Sequence, residues 1–192
     1  MGEEAAAAAN GQEPGDIKVQ DVDGNGVITT DDRIIYSQRP DVTFGFNNTF
    51  NYKGFDLSVF LYARLGQWIA YDYNTTYRIN ALENGGNVDY WTPENPTNAF
   101  PRPNKSKSYT QVTYYSTLKY EDGSFFKIRD ITLGYTFKPE LLKHLNLSRL
   151  RVYATAKNFF TFSHLDNYDP ERGGYLSYPM TKQAVFGINV DF

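Results

Sequence analysis

The sequence predicts an all-β protein, an antiparallel meander of about eight strands in which helix is confined to short pieces. Three observations carry that prediction. Aromatic residues make up 17% of the chain, with 16 Tyr and 14 Phe, and many lie in runs whose apolar positions alternate rather than recur at helical spacing. The runs are separated by Gly, Asn, Asp and Pro, which favour turns. In "LRVYATAKNFFTF", Leu150, Val152, Ala154 and Ala156 alternate with Arg151, Tyr153, Thr155 and Lys157, giving one strand an apolar and a polar face.

Taken in order, residues 1–14 ("MGEEAAAAANGQEP") are acidic and alanine-rich. They are expected to be a lead-in outside the fold, a short helix or disordered, with Met1 and Gly2 an added start. Without a positive first region they do not read as a secretory signal. The fold is expected over 15–192, beginning with "DVDGNGVITTDD" at 21–32. This stretch has the alternate oxygen donors of a calcium loop. Asp21, Asp23 and Asn25 take its first, third and fifth positions, Gly26 makes the sharp turn, and the Val27 carbonyl follows. Thr29 is placed to act through water, and Asp32 closes the loop where an EF-hand has Glu, with a shorter arm. The competing reading is a turn rich in Asp, Gly and Asn that binds nothing. Ile17 and Val19 alternate upstream and read as extended chain, so this is not a helix-loop-helix sensor; only the exit, with Thr29 or Thr30 as N-cap and Asp31 and Asp32 in the first turn, looks helical.

Two strands then meet at Lys53-Gly54. In the second, Phe55, Leu57, Val59, Leu61 and Ala63 share one face, and Asp56, Ser58, Phe60 and Tyr62 the other. Further strands fit 68–79, 112–120, 125–137, 150–162 and 182–192, with a helical piece at 139–145 opened by Pro139. In 125–137, Ile131, Leu133, Tyr135 and Phe137 share a face with Lys127 and Arg129, so either the strand leaves the apolar band near Arg129 or a bulge there swaps the faces. The loop at 84–105 is expected to be irregular and extracellular, because Pro93, Pro96, Pro101 and Pro103 remove backbone donors.

A net charge of −3 argues against a nucleic-acid partner, and the absence of Cys excludes disulfides and thiolate metal sites. His144 and His164 have no ligand-like spacing. No segment reaches the roughly 18 apolar residues of a membrane helix, but a membrane β-strand needs no such run. Short links alternate with long polar loops, as in outer-membrane barrels. The last strand carries Ala184, Phe186, Ile188, Val190 and Phe192 on one face, an apolar stripe ending on an aromatic that resembles the β-signal read by the outer-membrane assembly machinery.

These residues carry a family resemblance. In order, "PGDIKVQDVDGNGVITTDDR", "YKGFDLSVFL", "YWTPENPTNAFPR", "SFFKIRDITLGYTF", "LRVYATAKNFFTF", "YDPE" and "FGINVDF" resemble the C-terminal part of the SusC/RagA-type TonB-linked outer-membrane transporters of Bacteroidetes. The resemblance implies a roughly 22-stranded plugged barrel in the parent protein. It implies import of oligosaccharides or peptides driven through TonB, a SusD-like surface lipoprotein as partner, and a calcium loop in an extracellular or rim segment. A chain without plug or TonB box is not expected to transport alone.

The alternative is a soluble, calcium-stabilised carbohydrate-binding β-sandwich, with Trp68 and Trp91 as stacking platforms. No enzyme is expected. The carboxylate pairs Glu121/Asp122 and Asp169/Glu171 lack a neighbouring His or nucleophile. On a lumen wall, Arg78, Lys127, Arg129, Arg151 and Lys157 are candidates for glycan contact, against the plainer reading that they solvate it.

Overall fold

The computed structural model describes residues 13–70, 89–102, 117–165, 169–173, 178 and 180–192. Seven strands lie among them: β1 (Val42–Tyr52), β2 (Phe55–Leu65), β3 (Trp68–Ala70), β4 (Tyr120–Asp122), β5 (Phe125–Thr136), β6 (Arg149–Ser163) and β7 (Gln183–Asp191). Five form one antiparallel sheet in the order β1-β2-β5-β6-β7, and β3 pairs with β4 in a small second sheet. The predicted meander is present, with seven strands described where about eight were expected.

The predicted strand at 68–79 is seen as Trp68–Ala70, its remainder lying outside the described residues, as does Arg78. Of the strand expected at 112–120, only the end can be seen. Thr117–Lys119 is a 3-10 turn and pairing begins at Tyr120, while 112–116 lie outside the described residues.

The β1–β2 turn follows from its two residues. Lys53 and Gly54 both have positive φ, 47° and 90°, the tight turn whose twist matches that of the flanking strands. A Cβ on Gly54 would sit 2.8 Å from the Thr136 carbonyl oxygen, so the position has no room for a side chain. Between β5 and β6 the chain makes one helical turn, α1 (Pro139–Leu142), then a 3-10 turn (Lys143–Leu145) that ends at Asn146 in the left-handed region. Pro139 suits the first turn, where its missing N–H costs nothing. Buried Leu142 anchors this link.

Register resolves the face conflict in β5. Phe60 pairs with Asp130 and Leu61 with Ile128, so Arg129 is an extra residue opposite β2. The bulge exchanges the faces of β5: Phe126 and Ile128 on one side of it, and Ile131, Leu133 and Tyr135 on the other, all pair with apolar partners on β2. Strand β6 adds another residue there, with Asn158 at φ 58°.

The result is an apolar face continuous over five strands. Across it run rows such as Phe50-Leu57-Leu133-Ala154-Phe186 and Tyr52-Phe55-Tyr135-Val152-Ile188. None of these side chains is buried, and Phe186 is 81% and Ile188 67% accessible. A sandwich would bury them under a second sheet. The opposite face is polar, with rows such as Thr49-Ser58-Thr132-Thr155.

The chain forms two compact units, one of Met1–Tyr36 and Ala70–Glu121, the other of Ser37–Ile69 and Asp122–Phe192. The first contains the calcium-type loop, the second the five-stranded sheet.

Candidate metal centre and the polar face of the sheet

In the first unit, the 21–32 loop closes around its own carboxylates. Asp21 accepts the Gly24 and Gly26 N–H groups, both at 2.7 Å, and Asp23 accepts from Asn25 N at 3.0 Å and Asn25 Nδ2 at 2.7 Å. Asn25 Oδ1 accepts the Val27 N–H at 2.8 Å. Gly26 has φ +85°, the left-handed conformation its loop position demands. Asp32 closes the loop by accepting Val22 N and Thr29 N, each at 2.7 Å, and completes a capping box with Thr29. The Thr29 bond, followed by the Val22 bond, holds the Asp32 carboxyl below its ordinary range.

Carboxylate oxygens of Asp21, Asp23 and Asp32 all lie within 4.8 Å of one another. With the Asn25 amide and the Val27 carbonyl in the same loop, the donor set is oxygen throughout, which fits a hard cation such as calcium. The helical exit is a single 3-10 turn, Thr30–Asp32, with Thr29 as its N-cap and Asp31 and Asp32 in that turn, and Arg33 is already extended. Upstream, residues 17–20 carry neither helix nor paired strand. A loop closed by its own carboxylates needs no flanking helices to shape it.

The chain ahead of the loop is fastened to the segment 89–102. Arg102 pairs with Glu13 and with Asp16 (3.1 Å), and its N–H donates to the Gly15 carbonyl at 2.9 Å. The Trp91 ring lies directly on Gly15, which leaves that face of the ring unavailable for stacking on a sugar. Within the segment, Asp89 accepts from Asn95 (2.7 Å) and Thr97 (2.9 Å), which lower its pKa. Only isolated bridges and turns occur in 89–102, as its prolines predict.

In the second unit, the described candidate cations on the polar face are each engaged by a carboxylate. Arg151 grips Asp56 through two bonds, 2.9 and 2.5 Å, beside Gly134, where a Cβ would sit 2.5 Å from both partners. Lys157 pairs with Asp130 at 3.6 Å. Lys127, fully buried, donates to Asp169 at 2.7 Å and Glu171 at 2.9 Å. Asp169 also caps the turn Pro170–Arg172, and Glu171 reaches Arg129 at 3.3 Å. Asp169 and Glu171 are therefore counterions. Asp122 caps Ser124 N–H at 2.8 Å, and His144 and His164 are exposed.

Arg64, beside Tyr62 on the polar face of β2, was not among the cations predicted from sequence. Arg64 Nε donates to the Tyr62 hydroxyl at 2.8 Å, and the guanidinium carbons of Arg64 and Arg129 lie 5.6 and 5.5 Å from the centre of the Tyr62 ring. Arg64 follows the apolar stripe of β2 directly, and its even position on the polar face was the available signal.

No family model matches the chain. Among curated proteins it is similar to TonB-dependent receptor P3 of Formosa agariphila, 30% identical over 99% of this chain and 20% of the relative. It is likewise similar to TonB-dependent receptor SusC of Bacteroides thetaiotaomicron, 30% identical over 90% of this chain and 17% of the relative. Among solved structures, the RagAB peptide importer in its closed-closed state superposes with a TM-score of 0.66 at 27% identity, covering 91% of this chain and 20% of that one. The RagAB peptide transporter gives 0.65 at 27% identity over 83% of this chain and 18% of that one. The chain thus spans about a fifth of the length of the curated relatives it matches. With an exposed apolar face, a polar opposite face and this kinship along nearly its whole length, the chain matches a β-barrel segment of TonB-dependent receptors of the SusC/RagA type.

Proposed function

We propose that the chain forms five neighbouring strands of the barrel wall of an outer-membrane importer that takes up oligosaccharides or peptides. The carrying observation is the apolar face shared by five strands and left exposed, with a polar face behind it. The strands of the sheet are 9 to 15 residues long, enough to cross a hydrocarbon layer that asks about 9–11 of a tilted strand. Lipid covers the apolar face and the polar face lines the lumen. In this reading the parent protein works with a SusD-like surface lipoprotein and is energised through TonB. The outer-membrane assembly machinery reads the stripe ending at Phe192, which is 93% exposed.

Calcium is the cofactor of this reading. Asp21, Asp23 and Asp32 would hold it with the Asn25 amide oxygen and the Val27 carbonyl, and the ion would lock an acidic extracellular or rim segment into one shape. The convergence of the three carboxylates supports the assignment.

The test of the importer reading is co-isolation. A tagged parent protein, extracted in mild detergent from the outer membranes of its own cells, should bring down a SusD-type lipoprotein in near-equal amount. Recovery of the parent alone, or its recovery from the soluble fraction, contradicts the reading.

A further inference from the structure

Among the described residues, one group of cations on the polar face has more positive charge than its partners balance. Lys127 is satisfied by Asp169 and Glu171, and Arg151 by both oxygens of Asp56. Arg64 and Arg129 differ from these. Both guanidiniums lie against the one Tyr62 ring. Arg129 has a single ionic contact, with Glu171, whose other oxygen is bound to Lys127. Arg64 has no carboxylate partner among the described residues; its Nε bonds the neutral Tyr62 hydroxyl. Each guanidinium lies within 5.6 Å of the Tyr62 ring centre, and among the described residues the two have one carboxylate between them, Glu171, so an anion that reaches them offsets net positive charge.

We propose that Arg64, Arg129 and Tyr62 form a binding site for a carboxylate-bearing solute moving along the polar face, with Glu171 occupying Arg129 until the solute arrives. A guanidinium offers a planar fork that matches the two oxygens of a carboxylate. Arg129 is 40% exposed and so remains reachable. The Tyr62 hydroxyl accepts from Arg64 and keeps a proton to donate. Partial burial of Arg64 and Tyr62 removes competing water and strengthens each bond to an anion. The solute class is an acidic peptide or an acidic oligosaccharide, which share this chemistry. The inference rests on the importer reading for the solute's presence in the lumen.

The experiment uses the full-length parent in detergent, titrated in a calorimeter with triglutamate, trigalacturonate and neutral maltotriose. Wild type should bind at least one acidic probe, and which one it binds identifies the source of the carboxylate. Arg64→Gln and Arg129→Gln should each weaken that binding by about tenfold or more, the worth of a lost charge-assisted hydrogen bond, and leave maltotriose unchanged. Arg64→Lys, which keeps the charge and loses the fork, should fall between, and it carries the test should a Gln variant fail to assemble. Absence of acidic-probe binding by wild type, equal binding by the variants, or an equal loss for maltotriose overturns the proposal. A parent that binds acidic probes through these residues yet moves none across the outer membrane would sink the importer reading and leave the site standing.

Discussion

At the scale of single residues, the geometry of the 21–32 loop was legible because its requirements are local. Alternate oxygen donors and a glycine at the turn can be read without knowing what the loop packs against, and the structure brings Asp21, Asp23 and Asp32 together as their spacing predicts. Asp21 should be a sensitive position, since both its oxygens also hold the loop backbone, at Gly24 and Gly26, as those of Asp32 hold it at Val22 and Thr29. Calorimetry on the parent protein should show calcium uptake in wild type and its loss in Asp21→Ala, with affinity reduced at least tenfold, about 1.4 kcal/mol. Identical titrations would reduce the loop to a turn. The fate of Lys127 was not legible. Its partners, Asp169 and Glu171, lie 42 and 44 positions further along the chain, and only the fold brings them to it. Leaving either side of such a buried pair unpaired is costly, so Lys127 is a structural cation.

At the scale of elements, strand positions were legible from alternation and turn residues, and the β1–β2 turn fell where Lys53-Gly54 placed it. The limits came where alternation breaks. In β5 the pattern of "FFKIRDITLGYT" contradicts itself at Arg129, and the register shows a bulge as the cause. Deleting Arg129 should therefore harm the barrel more than replacing it with Ala. The deletion forces either the Phe126 and Ile128 half or the Ile131 and Leu133 half onto the wrong face, whereas Arg129→Ala keeps the bulge. Abundance of folded parent in the outer membrane measures this, and equal abundance of the two variants would show that the bulge is dispensable. In β7, Ile188→Arg should cost about 2–4 kcal/mol of folding stability in a lipid bilayer and Asn189→Arg far less, because only the first puts a charge into hydrocarbon. Urea titration in vesicles reads both.

At the scale of the whole molecule, an amphipathic sheet was legible and its surroundings were not, because lipid and a second sheet ask the same alternation of a strand. The register and exposure of the five strands separate the two cases: Phe50, Phe55, Leu133, Phe186 and Ile188 share one face and none is covered. The most direct measurement is cysteine accessibility along β7 in the parent, in intact outer membranes, one position at a time from Ala184 to Val190. This segment contributes no cysteine of its own, and labelling is read against the parent without the introduced cysteine. A lipid-soluble maleimide should label Ala184, Phe186, Ile188 and Val190 positions, and a small charged thiol reagent should label Val185, Gly187 and Asn189 positions. This period-two exchange between reagents is the result predicted for a barrel wall. Uniform labelling by the charged reagent at all seven positions, or protection of the Phe186 and Ile188 positions from both reagents, would contradict it.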